Sequence, residues 1–445
     1  MIEERDLSVE EEFQGRYCPT VKGYLRSLNP QLPRSIQTLQ LGGLLNATGN
    51  GLVLPFTLIY LHNERGIGLG TAGLVMGTNA AVSLVSGPIA GALVDRVGGK
   101  RMLAIALFFL TLGIAGYSLV ETAWQGFIAA AIVGVGNGAF WPSQSSLLAG
   151  LAPREKRPTV FAMQRVTMNL GIGVGGLAGG FIAATSFQAL FLLDAATFVA
   201  YAAVLWAFVP EPSHAVDRAV RSGTYRDVFR HRVFMALMAV NAAFIVAGIA
   251  QLEVFPAYAK NEVGIAESGI GQLFFINTLV VVLLQLPVAR SARGHRRMPF
   301  LTLVGVACAA SWLLVPVSGL WLSGAAAFAV LAAAVAIFGV AECLHGAVQA
   351  PLVADLADHR MIGRYMAVSA LSWQVGFTIG PAAGASLLAV SPTGLWIVAA
   401  SVCLLAGGAA LLLERWLPEG VRRTPRIVSA AHTPIAVVDV AFPGD

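Results

Sequence analysis

Twelve nearly uncharged apolar stretches run through the 445-residue chain and leave it few ways to fold. They are expected at about 37–61, 70–94, 102–121, 124–150, 161–184, 187–209, 233–258, 269–289, 299–318, 321–350, 365–389 and 392–414. A helix needs about 20 mainly apolar residues to cross a hydrocarbon core roughly 30 Å thick, because each residue rises about 1.5 Å. Backbone groups that meet no water must pair within their own helix or within a closed barrel, and these runs are too long and too evenly apolar for barrel strands. With 56% hydrophobic and 12% charged residues, the chain also lacks the polar surface of a soluble globule. The expected class is therefore an all-α, multi-pass membrane protein.

The basic residues give the expected orientation. Of 29 Lys and Arg, 27 fall in the two tails or in the loops after even-numbered spans, and only Arg65 and Lys260 fall on the other side. Both termini are thus expected in the cytoplasm, the protein sitting in the cell membrane. The net charge of +5 reports this topology and contact with anionic lipids. It does not point to nucleic acid, since no soluble basic domain exists to bind it. The expected division is a tail at 1–35, a six-helix bundle at 36–209, a linker at 210–232, a second bundle at 233–415 and a tail at 416–445. The amino-terminal tail, with Glu3, Glu4, Glu10, Glu11 and Glu12, has no apolar core region and reads as cytoplasmic rather than as a cleavable signal. In the linker, Thr224 to Phe234 could lie on the membrane as a short helix or remain solvated. Cys18, Cys308, Cys343 and Cys403 show neither disulfide nor zinc spacing and read as small core residues. The apolar segment Ile435 to Phe442 could dock somewhere.

Between the second and third spans stands Gly91 to Leu103, GALVDRVGGKRML, expected as a short glycine turn with the next helix starting at Met102. It resembles the loop signature of the major facilitator superfamily, G-x-L-a-D-r-x-G-r-k-x-x-l. Gly91, Leu93, Asp95, Arg96, Gly98, Lys100 and Leu103 match, while Gly99 stands where a basic residue is usual. The halves of the chain repeat as well. One constant offset pairs Gly134 with Gly339, Asn137 with Glu342, Gln144 with Gln349, and Gly171, Gly175 and Gly179 with Gly376, Gly380 and Gly384. Two like-oriented six-helix halves match the layout of these transporters. The fifth span further resembles the antiporter signature of drug:proton antiporters, G-x-x-x-G-P-x-x-G-G, with Gly176 in place of the proline. The eleventh keeps its Pro381. The arginine that such carriers often hold in the fourth span is absent, its place taken by Ala130, so another group must handle any proton.

Ionisable residues inside spans cost about 2.5–3.5 kcal/mol at the bilayer centre on insertion scales, so the few present are informative. Glu342, His345 and Gln349 share one face of the tenth span, and Asn137, Trp141 and Gln144 share one face of the fourth. Matched polar stripes imply a wet cavity, and the resemblance places spans 1, 4, 7 and 10 around it. Glu342, partly desolvated there, could load and release protons near neutrality, with His345 sharing the proton or binding substrate. Alternatively Glu342 locks helices by pairing with His345 or Arg165. Asp194 is either structural or a proton relay. Glu253 is expected at the outer mouth of the cavity, near Gln251 and Pro256, or at a solvated rim. Asn46 and Asn50 resemble substrate-facing positions, with helix packing as the alternative. Phe140, Trp141, Phe244, Phe255 and Trp373 could stack on a lipophilic ligand or simply pack. By resemblance Asp95 caps the tail side against the eleventh span in the outward-open state, with Arg96 and Lys100 at the headgroups and Gly175, Gly179, Gly380 and Pro381 allowing helices to slide.

No phosphate-binding loop, serine-hydrolase elbow, H-E-x-x-H or paired cysteines appear, so the chain reads as no enzyme and needs no cofactor or metal. Without a nucleotide site, transport must run on a gradient. One charge moved through 100 mV yields about 2.3 kcal/mol, roughly fifty-fold accumulation. The expectation is a monomeric secondary carrier whose partners are a small-molecule substrate, protons and membrane lipids. It would export lipophilic or cationic drug-like compounds against protons. The alternatives are a carrier for a metabolite, siderophore or lysolipid, or a non-transporting receptor or scaffold.

Overall fold

Long apolar runs with few internal breakers become long helices, and the computed structural model contains twelve that can span a membrane. It describes residues 32–152, 156–210, 224–357 and 361–424. The acidic amino-terminal run with Cys18, the linker stretch 211–223, the segment Ile435 to Phe442 and the side chain of Asp95 lie outside the described residues. The spans are α1 Arg34–Glu64, α2 Leu69–Val97, α3 Gly99–Tyr117, α4 Ala123–Leu151, α5 Arg157–Ala183 and α6 Phe187–Phe208. They continue with α7, α8 Glu267–Ser291, α9 Arg297–Trp321, α10 Gly324–Leu356, α11 Ile362–Val390 and α12 Pro392–Leu413. Span α7 runs Arg232–Ala247, breaks into a 3-10 turn at Ile249–Glu253 and resumes at Phe255–Asn261. Among the described residues there is no sheet, only an isolated bridge between Arg296 and Arg423.

Three expected boundaries shift for local reasons. The turn after α2 contracts to Gly98, whose φ of 96° reverses the chain in one residue, so α3 begins at Gly99 rather than Met102. Arg96 therefore ends one helix, where a cation suits the dipole, while Lys100 begins the next and donates to the Trp206 carbonyl at 3.3 Å. Span α3 stops at Tyr117 instead of 121, because Thr122 and Gln125 form a capping box that starts α4. Gly324, at φ 56°, delays α10.

An even number of crossings returns the chain to the face it left, here called the terminal face. Trp206 and Trp416 stand exposed at that face, and Trp124 and Trp321 at the opposite one, marking the two interfaces where indole rings settle. Between them Phe108, Leu283, Leu405 and other large apolar side chains point outward, as lipid contact requires.

Packing repeats from half to half. Within the first, α1 packs on α5 and α6, α4 on α2 and α3, and α3 on α6. Within the second, α7 packs on α11 and α12, α10 on α8 and α9, and α9 on α12. The halves meet along two seams related in the same way, α2 with α11 and α5 with α8. The symmetry extends to atoms. A β-carbon on Gly134 would lie 2.6 Å from the Asn79 carbonyl, and one on its counterpart Gly339 would lie 3.2 Å from the Asn277 carbonyl.

In lipid, close packing rather than hydrophobicity holds helices together, so small residues mark the contacts. Gly171, Gly175 and Gly179 lie on the α1 backbone inside one half, and Gly376 and Gly380 on α7 inside the other. Gly173, Gly176 and Gly180, facing α8, form the seam. At the other seam Gly73 faces the Pro381 carbonyl and Gly77 the Thr378 carbonyl. These seams lie toward the opposite face, where Asn63 donates to Asn261 at 2.7 Å and joins the ends of α1 and α7. Toward the terminal face the α2 flank is bare: Val85 and Ile89 are exposed, and nothing lies within 4 Å of where a Gly91 β-carbon would be. The molecule is closed at the opposite face and open toward the terminal one.

Candidate functional site

The opening holds a cavity of about 770 Å³ between the halves. That volume lies within the roughly 300–1,000 Å³ typical of small-molecule sites. One wall comes from α1, α2, α4 and α5, the other from α11 and the broken part of α7. Asn46 and Asn50 line it from α1, and Asn137, Trp141 and Gln144 from α4, together with Glu253. Phe140 and Trp141 meet edge to face at 5.5 Å, and across from them Trp373 and Phe377 stack at 6.2 Å. Aromatic walls and amide side chains suit a ligand with an apolar body and a few polar groups.

The tenth span is not part of this wall. Glu342, His345 and Gln349 do not line the cavity, which corrects the expected wet stripe. They also part company: the Asn277 amide on α8 donates to Glu342 at 3.1 Å, while His345 Nε2 lies 2.8 Å from the Asn241 Oδ1 on α7. Asn241 in turn donates to Ser372 on α11 at 2.7 Å. The physical reason is bulk on α11, where the Trp373 ring stands edge-on to His345 at 5.6 Å and screens α10 from the opening. Gln349 is buried, with its Nε2 unpaired among the described residues. Arg165 reaches across from α5 to Gly346, one turn beyond Glu342. The pair Asn277 and Glu342 is the counterpart of Asn79 and Asn137, which bond at 3.1 Å in the first half.

Asp194 is fully buried in α6, set against Gly49 of α1, with Thr197 donating at 3.3 Å and Oδ2 unpaired among the described residues. It is away from the cavity. Gln144 accepts from Gln164 at 2.9 Å and donates to Tyr201 at 3.2 Å, fixing its amide at the cavity edge. Of the two alternatives for Phe244 and Phe255, stacking on a ligand or plain packing, the structure gives packing: both are core residues, almost without exposure. Glu253 sits at the blind end rather than at a mouth, because the cavity is sealed above it. The break in α7 places it there. Gln251 bonds the Val246 and Gly380 carbonyls at 2.7 and 3.1 Å, holding the turn against α11. Sequence reasoning missed Asn79, Gln164, Gln374 and Asn277; the signal was present, since amides within apolar spans mark buried contacts or water.

The Major Facilitator Superfamily model matches residues 39–321 and 252–442. Among relatives, the uncharacterized MFS-type transporter YqjV of Bacillus subtilis (strain 168) is 25% identical over 78% of this chain and 84% of its own. The multidrug resistance protein MdtH of Shigella dysenteriae serotype 1 is 24% identical over 77% and 83%. A Na(+), Li(+), K(+)/H(+) antiporter of Planococcus maritimus is 24% identical over 78% and 88%. The fold resembles that of the peptide transporter POT in complex with sulfate, at a TM-score of 0.72, 16% identity and coverage of 86% and 95%. It also resembles the D-xylose-proton symporter, at 0.69, 17%, 87% and 98%. With duplicated helical halves, an access cavity between them and a family match along nearly all its spans, this multi-pass membrane protein belongs to the Major Facilitator Superfamily of transporters.

Proposed function

We propose that the protein is a proton-coupled exporter of lipophilic, often cationic compounds, cycling by rocking one half against the other. The observation that carries this reading is the aromatic, amide-lined cavity, open toward the terminal face. With that face cytoplasmic, as the distribution of basic residues indicates, the structure is the inward-open, loading form. The multidrug resistance and cation/proton antiporter names of two relatives agree with export by exchange. Cavity size favours an organic molecule over a bare metal ion as cargo.

Glu342 is the proposed proton carrier. It stands in the position of Asn137, replacing an amide by a group that can exchange a proton, and Asn277 and Arg165 lie close by. Rocking that parts α11 from α10 would admit water to it. Reconstituted vesicles with an imposed pH gradient test the reading: the wild type is expected to accumulate an ethidium-type dye and to move protons in exchange. Glu342→Gln is expected to abolish gradient-driven accumulation in a protein that still folds. Accumulation by that variant with unchanged dependence on the gradient removes Glu342 from the mechanism.

A further inference from the structure

The cavity wall contains one ionisable side chain among the described residues, Glu253. It has no hydrogen bond or ion pair among them, and no Lys, Arg or His lines the cavity to neutralise it. Beyond it a smaller recess of about 100 Å³ enters the first half between α1, α2, α3 and α4. Asn50, Asn79, Asn137 and Glu253 border both spaces, so the recess is a continuation of the cavity's blind end. The Asn137 amide donates to Asn79 Oδ1, which leaves the Asn137 Oδ1 free to accept, and Asn50 makes no side-chain bond among the described residues. The end of the cavity therefore offers amide oxygens as acceptors beside a carboxyl that carries one negative charge when ionised, while the aromatic rings lie nearer the opening.

We infer that Glu253 and the asparagines of this recess bind the protonated amine of a primary or secondary lipophilic ammonium compound, whose apolar body rests between Trp141 and Trp373. The inference rests on the proposed export of lipophilic compounds and adds the substrate class and the residue that selects it. Charge-assisted N–H bonds to a carboxylate are the strong kind, and a primary or secondary ammonium can make them where a quaternary cation, with no N–H, cannot. The contact also crosses the halves, because Glu253 belongs to the second and the asparagines to the first. A bound ammonium would thus draw the halves together at the closed end.

The test uses full-length protein in nanodiscs and vesicles with two fluorescent probes, dansylcadaverine and its N-acetyl derivative, which keeps the dansyl body and loses the charge. The wild type is expected to bind the ammonium about ten-fold or more tightly than the acetylated probe. Glu253→Gln is expected to bind both alike, and Asn79→Leu, which fills the recess and spares the carboxylate, to lose most of the preference. Thermal unfolding confirms that each variant is folded. Preference unchanged in either folded variant overturns the assignment. So does a wild type that binds and transports both probes equally, although export of lipophilic compounds then stands. A wild type that neither binds nor transports either probe brings down both readings.

Discussion

Single residues here work through what their atoms touch. A β-carbon at Gly175 would strike the Thr48 carbonyl and the Gly51 Cα, backbone that cannot give way. Gly175→Ala is expected to cost about 1–3 kcal/mol, read as a lower midpoint of thermal unfolding in detergent. Gly91 is the opposite case, with open space where the carbon would go. Gly91→Ala is expected to leave stability within about 0.5 kcal/mol. It should still slow turnover, because that bare flank of α2 must close when the cavity faces the other way. Sequence spacing alone would treat the two glycines alike. Asn277→Ala removes the amide that bonds Glu342 and should lower stability by about 1 kcal/mol, since one partner of a half-buried bond is left unpaired.

Among the elements, the short helix Tyr225–Arg230 shows how a cap responds to pH. Asp227 accepts from both the backbone N–H and the hydroxyl of Thr224 at 2.8 Å, and these bonds hold its carboxyl below the usual carboxylate range. A depressed value means the cap stabilises the helix fully above the ordinary carboxylate pKa of about 3.9 and is lost as pH falls through the lower folded value. The protection of amides 225–230, taken relative to their intrinsic exchange at each pH, is therefore expected to be flat from neutrality to about pH 5 and to fall in stronger acid. Asp227→Ala should show the low protection at every pH. The sequence left this segment open between surface helix and solvated linker; Thr224 with Asp227 three residues on was the readable sign of the helix. The break in α7 was less legible, because Gln251 acts there through the Gly380 carbonyl of a helix 129 residues away.

At the level of the whole molecule, the two halves are separate packing units joined by two seams and by the Asn63 and Asn261 pair at the closed face. That pair exists only while the face is closed. Asn63→Ala is expected to shift the population toward the state open at that face, seen as a broadened, longer distance between spin labels at the ends of α1 and α7. Distances unchanged from wild type would assign closure to the glycine seams alone. The proposed role of Asp95 belongs to the reverse state, where it would cap α11, so Asp95→Asn is expected to slow conformational cycling more than it weakens substrate binding.

Hydropathy, basic-residue asymmetry and the internal repeat determined the class, the number of spans and the pairing of Asn137 with Glu342, because spanning a bilayer constrains each helix by itself and duplication leaves its mark in register. Which polar residues face the cavity was decided only in three dimensions. Glu342 and His345 share a helix face yet turn to different partners behind Trp373, and Glu253 reaches the cavity's end because α7 breaks. A helical period fixes direction around one axis; whether that direction meets water depends on the bulk of the neighbouring helix, which no local pattern encodes.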